Sequence, residues 1–232
     1  MTSLPGSTGR RMPQAAVLFA AASAFLAFPS LHAVAADKPQ PTFEQVFDAR
    51  GEPAATHFDA VYQSGGAEHR VEVWRDGGKR IRRRTDDAAD SYAVKKPDGT
   101  DFRLSVLDLK RRIRTDIDRD NLYRIGNFTD WFDLGHGLRH PKGGYTLAAG
   151  AAPQGAGKPV AACTWYDLAQ DGRVTHVCWS AKDKLPLLML AQDGKPLWRV
   201  TRVDHRAIPA ATFAIRDAGF VRNDANADIE RD

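Results

Sequence analysis

Residues 159–215 carry the pattern that most restricts this chain: short apolar segments broken by Asp-Gly pairs at Asp171-Gly172 and Asp193-Gly194. Asp-Gly readily supplies the positive-φ positions of a tight hairpin, so the stretch reads as an antiparallel meander. Cys163 and Cys178 flank the first of these turns, and a four-residue loop over 169–172 sets them directly opposite one another. Cross-strand Cα separations of roughly 4.5–5.5 Å suit a disulfide. A stapled hairpin argues for a sheet-built protein in an oxidising compartment rather than for a catalyst.

The N-terminus points to the same compartment. Arg10 and Arg11 precede an apolar run over 15–28, and Ala33-Val34-Ala35 offers a cleavage site. This is the pattern of a secretory signal peptide. The run is shorter than the ~20 residues of a membrane span, and no later segment approaches that length. Without a Cys at the cleavage site there is no lipoprotein signal. Arg10-Arg11 also raises a twin-arginine route, although Met12-Pro13-Gln14 continues it poorly. In a bacterium the expected location is the periplasm, and the mature chain has no transmembrane segment.

Removing residues 1–35 from 232 leaves 197, enough for one domain with a sizeable core. The expected organisation is a leader over 1–35, a single domain over 36–220 and a polar C-terminal tail over 221–232. The leader contributes two Arg and no acid, so the mature charge is +2 rather than +4. That balance gives no reason to expect a nucleic-acid partner; clustering of charge matters more than its sum.

Phe43, Val46 and Phe47 recur at helical spacing within 41–50, with Gly51 to stop the helix. Strands follow at 57–64, 68–75, 79–86, 91–96, 101–109 and 112–118, punctuated by Gly65-Gly66, Asp76-Gly77-Gly78 and Asp98-Gly99. An aromatic stretch over 121–138 reads as a helix, or two turns of one, with Thr129 as a cap for its second part. It ends before His140-Pro141, since the residue before Pro disfavours the helical region. The strand at 145–149 and the closing meander bring the expected count to ten or eleven.

This order of elements resembles the periplasmic lipoprotein-carrier superfamily: the lipoprotein carrier, its outer-membrane receptor, and the N-terminal domain of the sigma-E regulator. The residues that carry the resemblance are Leu185-Pro186-Leu187 with Asp193-Gly194 and Trp198-Arg199-Val200, and a closing segment of Ile208 with Phe213-Ala214-Ile215. Val73-Trp74-Arg75 and Arg82-Arg83-Arg84 are more like the regulator branch. The resemblance implies an α+β, mainly antiparallel fold: a strongly curved, unclosed half-barrel sheet around a helical plug. It also implies an apolar concave face that holds acyl chains.

The expected function is therefore binding of a lipid or lipidated protein, as carrier, chaperone or sensor, with no cofactor. The alternative is a periplasmic regulatory module that binds an envelope protein without lipid. Trp74, Trp131, Phe132, Leu188, Leu190 and Trp198 are the candidate ligand-lining residues, because large amphipathic rings and leucines suit a cavity for an amphiphile. The same rings equally suit a dry core. Arg82 and Arg84 are candidates for an anionic headgroup, since the guanidinium fork grips phosphate or carboxylate at two points. Strand alternation places Arg80, Arg82 and Arg84 on one face and Ile81 and Arg83 on the other. A solvated outer face balanced by Asp86, Asp87, Asp108, Asp116 and Asp118 accounts for the cluster as well.

Metal signals are weak. His136 and His140 lie four apart, but Gly135, Gly137 and Pro141 oppose a regular helix there. Asp116-x-Asp118-x-Asp120 and Asp224-x-Asn226-x-Asp228 imitate the first half of a calcium loop, and neither completes it. No nucleophile elbow, zinc-protease helix or phosphate loop is present, and the two Cys are not in a C-x-x-C motif. A hydrolase is the least favoured reading.

Overall fold

Each glycine-bearing turn expected from the sequence reverses the chain between two strands. The structure, a computed structural model, describes residues 40–99, 101–124 and 130–229. The expected signal peptide and the expected helix cap Thr129 lie outside the described residues. The elements are α1 (Phe43–Val46), β1 (Ala55–Ser64), β2 (Ala67–Asp76), β3 (Arg80–Thr85), β4 (Ala89–Lys95), β5 (Phe102–Asp108), β6 (Ile113–Asp118), α2 (Arg119–Arg124) and α3 (Trp131–His136). There follow β7 (Tyr145–Ala149), β8 (Thr164–Gln170), β9 (Arg173–Ser180), β10 (Leu185–Ala191), β11 (Pro196–Asp204), β12 (Val221–Asp224) and α4 (Ala225–Ile229).

All twelve strands form one unclosed, curved sheet in the order β12-β6-β5-β4-β3-β2-β1-β11-β10-β9-β8-β7. Two meanders, β1–β6 and β7–β11, meet where β1 pairs with β11. Every pairing is antiparallel except that of β12 with β6. Register shifts at Asp59/Ala60, Pro186/Leu188 and Met189/Leu190 fall near this junction. An extra residue on one strand bends it and increases its twist, so these bulges favour curvature in the middle of the sheet.

The β8–β9 hairpin differs from the expected register. Gln170 pairs with Arg173, so the turn contains only Asp171 and Gly172, with φ of 51° and 71°. Cys178 therefore faces Trp165 rather than Cys163, which lies just before β8. The disulfide nevertheless forms, with the two Cα atoms 5.4 Å apart. A shift of two residues preserves which side chains share a face.

The concave face carries the helices. Helix α1 is one turn rather than the ten residues anticipated, closed at its start by a capping box between Thr42 and Gln45. Phe43 and Phe47 pack with Phe132, Leu147, Val177 and Trp179. The tyrosine hydroxyl of Tyr145 accepts a hydrogen bond from the Phe43 amide (2.9 Å), tying α1 to β7. Within the aromatic stretch over 121–138, α2 continues from β6 and α3 has Asp130 as its N-cap. The Asp130 carboxylate accepts the Phe132 N–H at 2.7 Å.

Two findings concern the C-terminal part. The segment with Ile208 and 213–215 is not a closing strand; it contains a 3-10 turn, Ala210–Phe213. It crosses the convex face as a strap, where Arg82 donates to the Thr212 carbonyl (3.1 Å) and Arg114 pairs with Asp217 (2.8 Å). Residues 221–229, within the expected polar tail, carry secondary structure. They form β12 and α4, and the Asn226 side chain accepts from the Asp118 amide and the Asn121 side chain.

Candidate functional site

The concave face is occupied by its own plug. Gly137 ends α3 with φ of 72°, and a Cβ there would lie 2.6 Å from the Trp198 ring. Only glycine lets the helix end come this close, and it can adopt the left-handed conformation without a side-chain penalty. Gly135 likewise rests against Arg75 and Ile81. Trp198 is fixed in turn by donation from its indole N–H to the Pro186 carbonyl (2.9 Å).

Beside the C-terminal end of α3 the plug leaves a cavity of about 300 Å³. Tyr62, Met189, Leu197 and Trp198 supply its apolar and aromatic wall, and Arg83 and Arg139 its charge, with Asp133 at the edge. The size is at the low end for a small-molecule site. A second cavity of about 850 Å³, reaching the β8–β9 and β10–β11 turns, shares Leu197 with the first. Arg83 lies 5.8 Å from the centre of the Tyr62 ring. Burial lowers its ionisation below the usual guanidinium range; Tyr62 opposes that shift and the neighbouring Arg139 adds to it. Two cations thus share the edge of an aromatic pocket.

Deeper under α3 is a buried polar latch. Arg75 on β2 donates through Nη1 to His136 Nε2 (2.5 Å), and His136 Nδ1 donates to the Phe132 carbonyl (2.8 Å). The same guanidinium lies 3.2 Å from Glu52 Oε2. Burial pulls Arg75 down to about 10, with Glu52 opposing the shift. Burial, and then the charge of Arg75, holds His136 well below the ordinary imidazole range. His136 is therefore neutral and serves as an acceptor. Arg75 Nε and Glu52 Oε2 are buried without a hydrogen bond, so the latch is under-satisfied.

The candidate lining residues are distributed over three places. Trp198 lines the concave cavity. Trp131 and Phe132 belong to α3: Trp131 packs on Phe102 (5.5 Å), and Phe132 stacks on His136 (4.0 Å). Leu188 and Leu190 are buried, but they pair with Cys178 and His176 on the opposite face from Met189. Trp74 is on the convex face, stacked on His57 at 4.9 Å.

Arg82 and Arg84 are also convex, away from the mouth of the concavity. Arg82 makes a two-point pair with Asp90 (3.0 and 2.7 Å) and lies over Trp74 and Tyr92. His57, Trp74, Arg82, Tyr92, Ser105 and Asp116 are successive register partners, forming one row across six strands. Arg84 is bound to Asp87 at 2.9 Å. Alternation correctly separated Arg83 from its neighbours; an Arg beside Ile81 on the apolar face was the available signal for the concave site. Tyr62, Met189, Arg139, Arg75 and Glu52 had no comparable signal.

Asp116 and Asp118 lie in β6 and Asp120 in α2, so the first calcium-like motif is not a loop. His57, Asp59 and Glu72 converge on the convex face. Arg202 already supplies a cation there, 2.7 Å from Asp59 and 3.9 Å from Glu72.

Among the described residues, no helix is long and apolar enough to cross a membrane. The class defined by these observations is an open antiparallel half-barrel with a helical plug. No protein-family model and no curated protein matches the chain. Among solved structures it is similar to the crystal structure of MucB, with 16% identity and a TM-score of 0.36, over 73% of this chain and 60% of that one. The chain thus spans less than two thirds of that protein's length.

Proposed function

We propose that this chain is an exported, periplasmic, non-catalytic protein that binds an amphiphile with an anionic head on the concave face, as a carrier or sensor of lipid or lipidated protein. The observation that carries this reading is the cavity at the end of α3, which Arg83 and Arg139 line together with Tyr62, Met189 and Trp198. A negative headgroup between the two guanidinium groups relieves their mutual repulsion and gains charge-assisted hydrogen bonds. The acyl portion follows the apolar wall past Leu197 toward the second cavity. Fuller entry displaces α3, and a partner that competes for the same surface drives release.

Native mass spectrometry of gently purified protein, followed by lipid analysis, tests the reading. The expected result is an acyl-containing adduct, and rebinding of a lysophospholipid weakened at least ~10-fold by Arg139→Ala. Arg139 is exposed, so this variant keeps its fold. An apo mass unchanged by lysophospholipids and acylated peptides refutes lipid binding and favours the regulatory module, whose ligand is a protein.

A further inference from the structure

The two edges of the sheet are built differently. Strand β12 closes one side with Arg222 and Asp224, and charges of this kind guard an edge against pairing with another chain. Strand β7, on the other side, is Tyr-Thr-Leu-Ala-Ala. From Gly143 to Ala152 the chain carries no charge and no proline. An edge without those guards is a template for a further strand.

The groups that β7 turns outward follow from its pairing. Gly150 continues the register with β8, donating to the Trp165 carbonyl at 2.9 Å. Successive residues of a strand direct their backbone groups to alternate sides. Thr146, Ala148 and Gly150 therefore turn N–H and C=O toward β8, while Tyr145, Leu147 and Ala149 turn theirs to the open edge. Among the described residues, no hydrogen bond reaches those outward groups.

The sequence around this edge is symmetric. Pro141 and Pro153, and Gly144 and Gly150, stand at equal distances on either side of Leu147. Antiparallel pairing with β7 of a second copy, centred on Leu147, sets Tyr145 opposite Ala149 and Thr146 opposite Ala148, a larger residue against alanine each time. Lys142 meets Ala152, so no like charges are opposed. In this register every outward residue faces an outward residue, so each free N–H finds a carbonyl. A shift by one residue sets outward groups against inward ones and loses those bonds. A two-fold contact needs a surface complementary to itself, and this edge meets that requirement in charge, size and hydrogen bonding.

We infer that β7 is a self-association surface, through which two copies join edge to edge about a two-fold axis at Leu147 into one continuous antiparallel sheet. The axis passes through the sheet, so both concave faces open to the same side. Tyr145, whose hydroxyl holds the start of α1, then stands at the seam.

Sedimentation velocity of delipidated mature protein, from micromolar to submillimolar concentration, tests this. A five-residue edge buries little area, so the expected result is a weak dimer whose share grows with concentration. Ala149→Pro removes an outward N–H that β8 does not use, and an edge strand tolerates proline at such a place. It deletes one intermolecular bond from each copy and should weaken association ~10-fold with little change in melting temperature. Thr146→Lys combined with Ala148→Lys sets like charges opposite one another across the axis, while the second lysine faces Asp167 within its own chain. That double variant serves if the proline variant fails to fold. A protein that stays monomeric throughout the range overturns the inference and leaves the edge to a strand of another protein. A dimer that the folded variants leave intact overturns it as well. The dimer is read without lipid, so its failure is distinguishable from failure of the amphiphile reading.

Discussion

Gly137→Ala isolates the contact that seats the plug. Gly137 has φ of 72°, and an added Cβ would stand 2.6, 2.8 and 3.0 Å from three atoms of the Trp198 ring. The left-handed conformation costs an L-residue about 1–2 kcal/mol, of which about 0.4–1 kcal/mol is recovered through reduced freedom of the unfolded chain. The steric part is larger. Trp198 is 3% exposed and hydrogen-bonded through its indole, so the ring has nowhere to go. Overpacking of this kind costs about 1–3 kcal/mol, giving a total of about 2–4 kcal/mol. Urea denaturation followed by circular dichroism measures it. In a Trp198→Leu background the steric part disappears, and Gly137→Ala should cost only about 1 kcal/mol. Equal costs in the two backgrounds, or a cost below about 0.5 kcal/mol in the native one, would refute the proposed clash.

Replacing Cys163 and Cys178 together with serine should lower stability by about 3 kcal/mol, as expected for a cross-link spanning 15 residues; a loss under about 1 kcal/mol in denaturant titrations contradicts this. Arg82→Ala strands Asp90, which is 5% exposed, and should cost about 3 kcal/mol while leaving amphiphile affinity unchanged. Arg84→Ala should be silent within about 0.5 kcal/mol; weakened lipid binding in either variant would return the headgroup site to the convex face. Stability should be greatest near pH 6.5 and fall on either side. His136 is depressed by burial and Arg75, so its contribution is lost as pH falls below about 6.5 and the unfolded chain takes up the proton. His140 is raised to about 9 by hydrogen bonds to Asp130 and Asp133, so its contribution is full below about pH 6.5 and is lost progressively as pH rises to about 9. His136→Gln should flatten the slope between about pH 6.5 and 5; an unchanged slope removes His136 as its cause.

The strands and turns were legible because Gly-bearing turns and period-2 alternation are local signals. Asp171-Gly172 announced a hairpin, but alternation repeats every two residues and cannot distinguish registers that differ by two. Hence the faces of β8 and β9 were readable while the partner of Cys178 was not. The segment Leu185–Ala191 is almost wholly apolar, so it contains no signal to place Leu188 and Leu190 on one face. Alternation separated Arg82 from Arg83, yet which of those faces is concave depends on where α3 docks. That docking rests on Gly135 meeting Arg75 and Ile81 and on Gly137 meeting Trp198, contacts between residues far apart in sequence. The strap misled for a related reason: Ile208 and Phe213 have strand-like composition, but the chain there lies across strands instead of beside one.

That strap also sets an order of events. Its bonds join residues 130 apart, from Arg82 to Thr212, and 103 apart, from Arg114 to Asp217. Contacts of such separation form only after the intervening chain has been gathered. A polypeptide emerging from its N-terminus thus completes β1–β6 while the outer rim of β6 still lacks its parallel neighbour β12. In that interval the rim exposes unpaired amides and carbonyls, a template for joining another molecule. Arrival of residues 205–224 ends the exposure, making a late-emerging part of the domain the guard of the strands that emerged first.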